Sequence, residues 1–314
     1  MRLLRETWTR EGPVGPLPGV ALGAALVGLI CLLAGGCGNS GQPSSAGTDR
    51  SRAAFAFDGP RRAAVVWAAG DGADGGPGAA AVTRLVERAH PDVFLYLGDV
   101  YPEGDAQAFT HSYARTFGAL SRITAPTPGN HDEPDMRDGY LPYWTRVRGR
   151  RPPDYYSFHA GGWLILSLNS EIAIGRRSPQ VRWLRRKLAP PGDCRLAFWH
   201  RPRFSAGSVH GDNPDLDPLW RALRGHARLV LNGHEHDMQR MRPRDGLVEL
   251  VDGAGGHSFY GLRRAYRGLA FGNRDTFGAI RIRLRPGAAD MAFVGIDGKT
   301  LDRSRVRCGG SGSG

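Results

Sequence analysis

The sequence predicts a layered α/β fold between residues 61 and 308. Short apolar runs of strand length alternate along this region with amphipathic helical patterns, which is typical of strands packed between helices. A pair of apolar runs around a Gly-Gly turn, and a second pair near the end, predict antiparallel hairpins. The chain has 314 residues, of which 41% are hydrophobic, and is therefore long enough to bury a sizeable core.

The predicted elements follow one another along the chain without an internal repeat. They are a strand over 63–69, a helix over 79–89, a strand over 93–97, a helix around 106–120, a hairpin over 155–169, a helix over 180–188, strands over 196–199, 229–232 and 248–251, and a hairpin over 279–296 that closes the domain. The helix over 180–188 is amphipathic, so we expect it to cover one face of a sheet.

The chain is basic, with 42 Lys and Arg residues against 30 Asp and Glu and a formal net charge of +12. Positive charge favours phosphates, lipid headgroups and nucleic acid alike, so it does not choose among them. Nearly all of it is arginine and the chain has 45 glycines, a composition typical of a GC-rich genome. We therefore expect no specific nucleic-acid binding.

The N-terminal residues 1–37 have the layout of an export signal. Arginines precede an apolar run over 20–34, which is shorter than the roughly 20 residues that span a bilayer. The end of this run, Leu33-Ala34-Gly35-Gly36-Cys37, resembles a bacterial lipobox, although Ala34 stands where leucine is usual. We expect Cys37 to be acylated and the exported protein to lie at the outer face of the membrane. A secreted protein with a cleaved signal peptide and an uncleaved anchor are the alternatives.

Residues 38–60 are rich in Gly, Ser, Ala and Pro and predict a flexible linker, and residues 309–314 predict a disordered tail. No CxxC pair is present, which excludes zinc ribbons and thioredoxin-type redox sites. Cys194 and Cys308 are the cysteines of the predicted domain, and an oxidising compartment favours a disulfide between them. The alternative is a buried Cys194 and an exposed thiol at Cys308.

Residue types that bind metals follow five strand-like runs, at the point where each run ends. The five segments are Gly70-Asp71, Gly98-Asp99, Gly129-Asn130-His131-Asp132, His200 and Gly233-His234-Glu235-His236. Each segment alone is common in turns and helix caps. Because open α/β sheets bind ligands at the carboxyl ends of their strands, we expect all five to meet at one edge. Mixed carboxylate, amide and imidazole donors suit Mn, Fe or Zn better than Mg or Ca.

This ordered set of motifs resembles the calcineurin-like metallophosphoesterases, and within them the purple acid phosphatase branch. The family pattern is a first GD, then GDxxY, GNH followed by D or E, a His after a strand, and GHxH. The resemblance covers residues 61–308. It implies a four-layer α/β/β/α sandwich, with two mixed sheets between helices and a site for two metal ions per chain.

The resemblance implies a role for each matching residue. Asp99 would bridge both ions, Asp71 and His236 would bind the first, and Asn130, His200 and His234 would bind the second. His131 would stay off the metals, near the phosphate and the leaving group. Two such cations clamp a phosphoryl oxygen and acidify a bound water, so that hydroxide attacks phosphorus, while a nearby imidazole serves the departing oxygen.

The sequence departs from the family pattern at two positions. Ala73 stands where the usual DxH motif has its histidine, so the first metal lacks one ligand. Tyr101 comes two residues after Asp99, whereas the purple acid phosphatase tyrosine comes three residues after. Successive side chains of an extended segment point opposite ways, so Tyr101 either ligates or is turned away. Water or Asp74 is then the substitute ligand.

Four further residues complete the predicted site. Arg203 and His210 follow His200 in a loop and are candidates to contact substrate phosphate or protonate a leaving group. Asp237 is expected to orient a histidine from behind the metals. His257, in a glycine-rich segment, is expected at the rim.

These observations predict a metal-dependent hydrolase of phosphate esters that favours phosphomonoesters. The first alternative keeps the fold and takes phosphodiesters of nucleotides, nucleic acid or phospholipid as substrates. The second is a metal-holding cell-surface binding protein with little turnover, which the missing first-metal ligand suggests. The expected partners are a phosphorylated small molecule or ester and the membrane, and the sequence gives no indication of oligomeric state.

Overall fold

The computed structural model describes Phe55, residues 58–192 and residues 194–308. The predicted export signal with Cys37, most of the predicted linker and the tail over 309–314 lie outside the described residues. Among the described residues, no helix has the length and apolar character needed to cross a bilayer.

The described strands form two mixed sheets. They are β1 (Ala64–Ala69), β2 (Val93–Tyr96), β3 (Thr124–Pro126), β4 (Tyr156–Ala160), β5 (Trp163–Ser167), β6 (Cys194–Phe198), β7 (Leu229–Asn232), β8 (Met238–Met241), β9 (Val248–Asp252), β10 (Leu269–Asn273), β11 (Gly278–Arg285), β12 (Ala288–Gly295) and β13 (Thr300–Arg307). The first sheet has the order β13-β12-β11-β1-β2-β3, and the second has the order β10-β8-β9-β7-β6-β5-β4. The parallel strands β1, β2, β6 and β7, which precede four of the metal-binding motifs, are interior strands of their sheets, whereas β3, which precedes the motif at 129–132, is an edge strand.

Helices flank the sheets. The α-helices are α1 (Pro77–Arg88), α2 (Ala106–Ala108), α3 (Tyr140–Arg148), α4 (Pro179–Leu188) and α5 (Asp217–Leu223). Helix α4 begins where the Ser178 hydroxyl accepts a hydrogen bond from the N–H of Val181, with proline in the first turn. The predicted helix around 106–120 is instead broken into α2, a π-helix over Phe109–Tyr113 and a 3-10 helix over Phe117–Ile123.

Alternation along the central strands separates the layers. In β5, Trp163 and Ile165 belong to the core between the two sheets, while Leu164 and Leu166 belong to a second core. That second core also contains Leu184 of α4 and apolar residues of α5. Because side chains of a strand point alternately to its two faces, the second sheet is covered by the other sheet on one face and by helices on the other. The predicted α/β architecture with two mixed sheets is confirmed.

The structure differs from the predicted order of elements at both ends of the domain, although β13 ends at Arg307, within the predicted bound of 308. The ring of Phe55 is buried and packs edge-on against Tyr156 with ring centroids 5.1 Å apart, so the domain begins before residue 61. The hairpin over 279–296 does not close the domain, because β13 pairs with β12 beyond it. A disulfide joins Cys194 at the start of β6 to Cys308, with the two Cα atoms 5.3 Å apart.

Candidate metal centre

The predicted metal-binding segments meet at one edge of the two sheets. Asp71 and Asp99 lie just past the carboxyl ends of the parallel strands β1 and β2. His200 and His234 lie just past β6 and β7, which are parallel in the other sheet. The expectation that these segments converge is therefore met by the topology, since all four strands run in one direction toward the shared edge.

The backbone is strained where it presents three of these side chains. Asp71, Asp99 and His234 have φ angles of 56°, 67° and 72°. This left-handed region is uncommon for residues other than glycine, and such strain is concentrated at functional sites. At each of these residues the left-handed backbone angle ends the regular alternation of side chains between the two faces of the strand.

Two motif glycines allow carboxylates to approach the backbone closely. A Cβ atom at Gly129 would lie 2.0 Å from Oδ1 of Asp99, and one at Gly233 would lie 2.3 Å from Oδ2 of Asp71. The Asp71 oxygen accepts a hydrogen bond from the N–H of His234 at 2.7 Å. Glycine at these two places is therefore a packing requirement of the site.

One group of potential ligand atoms, the first donor cluster, surrounds the hydroxyl of Tyr101. Its Oη lies 3.3 Å from Oδ1 of Asp71, 3.3 Å from Oδ2 of Asp99 and 2.9 Å from Nε2 of His236. Nε2 of His236 in turn lies 3.6 Å from Oδ1 of Asp71. All four side chains are buried.

A second donor cluster surrounds Nε2 of His200. This nitrogen lies 3.3 Å from Oδ2 of Asp99, 3.1 Å from Oδ1 of Asn130 and 3.2 Å from Nδ1 of His234. The carboxylate oxygen Oδ2 of Asp99 thus belongs to both clusters. This is the arrangement expected of a carboxylate shared by two ions.

The spacing in both clusters fits ligand atoms that share a metal ion. Two atoms that each lie about 2.0–2.2 Å from one ion are about 2.8–3.6 Å apart at octahedral or tetrahedral angles. The distances around Tyr101 and His200 fall in this range. Asp99, His200 and His234 offer ligand atoms that all lie within 4.8 Å of one another. The residues present therefore fit metal ions that take mixed oxygen and nitrogen ligands.

Hydrogen bonds behind the clusters orient two of the imidazoles. Nδ1 of His200 lies 2.9 Å from the carbonyl oxygen of Leu97, and Nδ1 of His236 lies 2.7 Å from Oγ of Ser258. When Nδ1 carries the proton, each Nε2 presents its lone pair to the donor cluster.

The charges at the centre favour a cation. Burial lowers the pKa of His200, but the carboxylates of Asp99 and Asp71 outweigh burial and raise this pKa to about 10. Burial raises the pKa of Asp99, but His200 outweighs it and this pKa falls to about 2. Burial and the neighbouring cationic groups lower the pKa of His234 far below its ordinary value, so its ring stays neutral. The carboxylates therefore stabilise positive charge, while His234 keeps a lone pair.

The structure decides how Tyr101 points. The positive φ of Asp99 breaks the extended alternation, so the side chains of Asp99 and Tyr101 both enter the site although the two residues are two positions apart. Asp74, the alternative ligand, lies outside the first donor cluster and contacts Nδ1 of His257 at 3.2 Å. Tyr101 is therefore the better placed of the two to complete the first donor cluster.

Three predicted histidines lie around the clusters. The backbone N–H of His131 donates to Oδ1 of Asp99 at 2.9 Å, and its Nδ1 lies 2.6 Å from a backbone carbonyl, so its ring lies outside the donor clusters. The ring of His210 stacks on His234 with centroids 3.9 Å apart. The ring of His257 stacks on Tyr101 at 4.0 Å and is partly exposed, as expected of a rim residue.

Arg203 is not positioned as the sequence predicted. Its Nε donates to Oδ1 of Asp217 at 2.5 Å, and its guanidinium lies over the ring of Phe204 at 4.2 Å. These contacts hold the side chain against α5, because the loop has turned away from the metal centre three residues after His200. In this structure Arg203 therefore contacts Asp217 and Phe204 rather than either donor cluster.

Asp237 does not orient a histidine. Its Oδ1 accepts a hydrogen bond from Nε2 of Gln239 at 2.8 Å, and its Oδ2 has no hydrogen-bond partner among the described residues. Burial raises the pKa of Asp237 to about 7. Asp237 follows His236 directly, and its side chain is directed into the protein interior rather than toward the imidazoles.

The arginine that does reach the site is Arg201, which sequence reasoning missed. Its Nη1 lies 3.3 Å from Nε2 of His234. Its Nε donates to both carboxylate oxygens of Glu171 at 2.9 and 3.1 Å, and the Oγ of Ser170 donates to the same carboxylate at 2.7 Å. Adjacency to His200 was the one available signal, since no sequence pattern links Arg201 to a glutamate 30 residues away.

Asp132 fixes the loops that carry the shared carboxylate. It accepts hydrogen bonds from the N–H groups of Gly129, Asp99 and Val100 at 2.8, 3.0 and 3.1 Å. The acidic residue after the GNH motif was visible in the sequence, but its three partners come from two separate loops.

The fold has two sheets, and carboxylates and imidazoles meet at the ends of their strands. This combination is typical of metal-dependent phosphoesterases. The sequence pattern of the family described as calcineurin-like phosphoesterase matches residues 61–238. The chain belongs to the calcineurin-like phosphoesterase family, and the resemblance found in its motifs is confirmed.

Several proteins are similar to parts of the chain. A probable cyclic nucleotide phosphodiesterase of Moraxella catarrhalis is 26% identical over 183 residues, which are 52% of this chain and 65% of that protein. Purple acid phosphatase 15 of Arabidopsis thaliana is 30% identical over 93 residues, which are 27% of this chain and 18% of that protein. The chain thus spans less than two thirds of either relative. The purple acid phosphatase PPD1 of yellow lupin has the same fold, with a TM-score of 0.65 and 14% identity over 80% of this chain and 55% of that one.

Proposed function

We propose that the chain hydrolyses phosphate esters at two metal ions and favours phosphomonoesters. The observation that carries this proposal is the position of Oδ2 of Asp99, which lies 3.3 Å from Tyr101 Oη in the first donor cluster and 3.3 Å from His200 Nε2 in the second. Ions of Fe, Mn or Zn suit the mixed donors of both clusters. Two bound ions would neutralise phosphoryl oxygens and make a water more acidic.

The chain's own residues supply the remaining functions of such a site. Asp71, Asp99, His200 and His236 would hold the ions in fixed positions. In each of these side chains, a second oxygen or nitrogen is hydrogen-bonded to the backbone or to Ser258. The ring of His131 packs beside the ring of Tyr101, with centroids 4.7 Å apart, and offers no atom to either cluster. It would donate a hydrogen bond or a proton to the departing ester oxygen.

Arg201 supports the preference for monoesters. Its guanidinium is held beside His234 by both oxygens of Glu171, so it is oriented before a substrate arrives. A fixed guanidinium pairs best with an oxyanion that carries more than one negative charge, which a phosphomonoester has and a diester lacks.

A phosphodiesterase is the second candidate. The similarity to a probable cyclic nucleotide phosphodiesterase covers 52% of this chain, whereas the similarity to purple acid phosphatase 15 covers 27%. A diester substrate has one negative charge at phosphorus and a second ester group. It would make less use of Arg201 than a monoester would.

A panel of substrates tests the proposal. The purified chain, loaded in turn with Mn, Zn and Fe, is assayed against matched phosphate monoesters and diesters, and its metal content is measured. We expect about two ions per chain and a higher kcat/KM for monoesters, and Asp99→Ala should lose both ions and turnover. Faster diester hydrolysis would support the second candidate, and full turnover by Asp99→Ala at low metal would contradict the shared-carboxylate assignment.

We also propose that the protein is exported and anchored through lipid on Cys37. The proposal is supported by the arginines, the apolar run and the small residues that precede this cysteine. One acyl chain binds membranes only marginally, so more than one is expected.

A further inference from the structure

Six arginines share one face of the outer strands of the first sheet. Residues directly opposite each other in paired strands have side chains on the same face. The pairing places three rows across β11, β12 and β13: Arg281, Ala292 and Arg303; Arg283, Asp290 and Arg305; Arg285, Ala288 and Arg307. We call this surface the arginine face.

The arginine face is the solvent side of these strands. In β11, Ile280, Ile282 and Leu284 are fully buried in the core, and the arginines alternate with them. Asp290 is the one carboxylate in the three rows, and it pairs with Arg285 and Arg305. The other four arginines have no ion-pair partner within the part of the chain that the structure describes.

The arrangement is electrostatically unfavourable without an anionic partner. Arg281 and Arg303 stand on either side of Ala292, whose small side chain leaves a shallow depression. Four arginines, Arg281, Arg283, Arg303 and Arg305, line it together with Asp290, whose carboxylate pairs with Arg305. Burial and the positive charges of Arg283 and Arg303 lower the pKa of Arg281. A phosphate group fits such a depression, because several guanidinium groups can donate to its oxygens at once.

Pro60, shortly before β1, lies near the end of β11 that carries Arg285. The N–H of Gly161 donates to the carbonyl oxygen of Pro60 at 2.6 Å. Gly161 and Gly162 lie directly against Leu284 and Pro286, on either side of Arg285. Phe55 follows Cys37 by 18 residues, which reach at most about 60 Å when extended. An anchor at Cys37 would therefore allow the arginine face to reach the bilayer.

The metal centre lies at the other end of the shared strand. Ala64, at the amino end of β1, pairs with Leu284, whereas Asp71 follows the carboxyl end of β1. Contact through the rows nearest Arg285 would therefore leave the metal centre open to substrate.

We propose that the arginine face binds the anionic lipid headgroups of a membrane, an inference that rests on the anchoring at Cys37 proposed above. Surface arginines are attracted to anionic lipid over about one Debye length, which is about 8 Å at physiological ionic strength. The proposal goes beyond hydrolysis, because it concerns the orientation of the domain and uses none of the metal-site residues.

Hydrogen exchange on vesicles tests the proposal. The full chain is bound to vesicles of phosphatidylcholine, with or without phosphatidylglycerol, and deuterium uptake by residues 300–307 is compared. We expect exchange at least about threefold slower on the anionic vesicles, with the difference lost in about 0.5 M salt. Uptake by residues 257–263 near the metal centre should be the same on both.

Two triple variants distinguish a contact at the arginine face from a general effect of the protein's positive charge. Replacement of Arg283, Arg303 and Arg305 by Gln should abolish the slowing and leave phosphate-ester hydrolysis unchanged. The matched control replaces three exposed arginines of the α4 region, Arg177, Arg182 and Arg186, and should keep the slowing. If the first variant does not fold, the single changes Arg283→Gln and Arg305→Gln should each weaken the effect.

Three outcomes would overturn the proposal. The first is equal exchange on neutral and anionic vesicles, and the second is an equal loss of the slowing in both triple variants. The third is slower exchange with double-stranded DNA at the same phosphate concentration but not with vesicles, which would assign the face to nucleic acid. If the unmodified chain hydrolysed no phosphate ester but still showed slower exchange on anionic vesicles, the proposed function alone would be contradicted.

Discussion

The hydroxyl of Tyr101 lies 2.9 Å from Nε2 of His236, although the two residues are 135 positions apart and Tyr101 stands one position earlier than the family pattern expects. The contact exists because the backbone at Asp99 has a φ of 67° and turns the following residues into the site. The hydroxyl of Tyr101 is therefore placed among the donors of the first cluster, where the missing DxH histidine would leave the first ion one ligand short.

Tyr101→Phe should weaken the first donor cluster and spare the second. Loss of one ligand oxygen should lower affinity for one of two ions by about 10–100-fold, the range found when partners of metal ligands are removed. Titration with metal, followed by elemental analysis, measures this. Two equally tight ions in Tyr101→Phe would show that the hydroxyl does not ligate.

His131→Ala should retain both ions and lose rate. The ring packs beside the ring of Tyr101 with centroids 4.7 Å apart but offers no atom to either donor cluster, since its Nδ1 lies 2.6 Å from a backbone carbonyl. General acid catalysis contributes about 10²–10⁴-fold. Metal content and kcat are measured on the same preparation. The loss should be smaller for substrates with a very acidic leaving group, since these need less protonation. Equal losses for all leaving groups would argue against a proton-donor role.

Arg201→Gln should raise KM for a phosphomonoester by about tenfold or more, because a charged hydrogen bond to an oxyanion contributes about 1.5–3 kcal/mol. Arg203→Gln is the matched control and should leave KM unchanged, since Asp217 holds that side chain against α5. Inhibition by inorganic phosphate gives an independent measure of the same contact. Unchanged phosphate affinity in Arg201→Gln would remove this residue from the substrate site.

Replacing Cys194 and Cys308 together by Ser should lower the free energy of unfolding by about 2–5 kcal/mol. Activity of the folded variant should persist, since Cys194 begins β6 and His200 follows its opposite end. Thermal unfolding with and without reductant measures the effect. Peptide mapping without reductant should recover the linked pair, and two freely alkylated thiols would refute the bond.

Cys37→Ser should abolish acylation and release the protein from the detergent phase. In a host that processes lipoproteins, the mature chain should begin at Cys37 and carry lipid mass on that residue. Mass spectrometry of the N-terminal peptide decides this. A mature N-terminus at another residue, without lipid, would support secretion after ordinary cleavage.

The layered α/β class and the residues that gather at the strand ends can be predicted from the amino-acid sequence alone. Asp71, Asp99, Asn130, His200 and His234 could be located because each follows a recognisable apolar strand, and parallel strands bring their carboxyl ends to one edge. Functional residues that directly follow a strand can therefore be predicted from the local sequence pattern.

Features that depend on contacts between distant loops became visible only in the folded chain. Tyr101 enters the site because of one positive φ angle, and Arg201 rather than Arg203 reaches it because Glu171, 30 residues earlier, holds its guanidinium. Asp237 is directed to Gln239, although its position beside His236 favoured a histidine partner. A side chain's direction in a loop is set by the backbone angles and by the charges packed against it, and local sequence encodes neither.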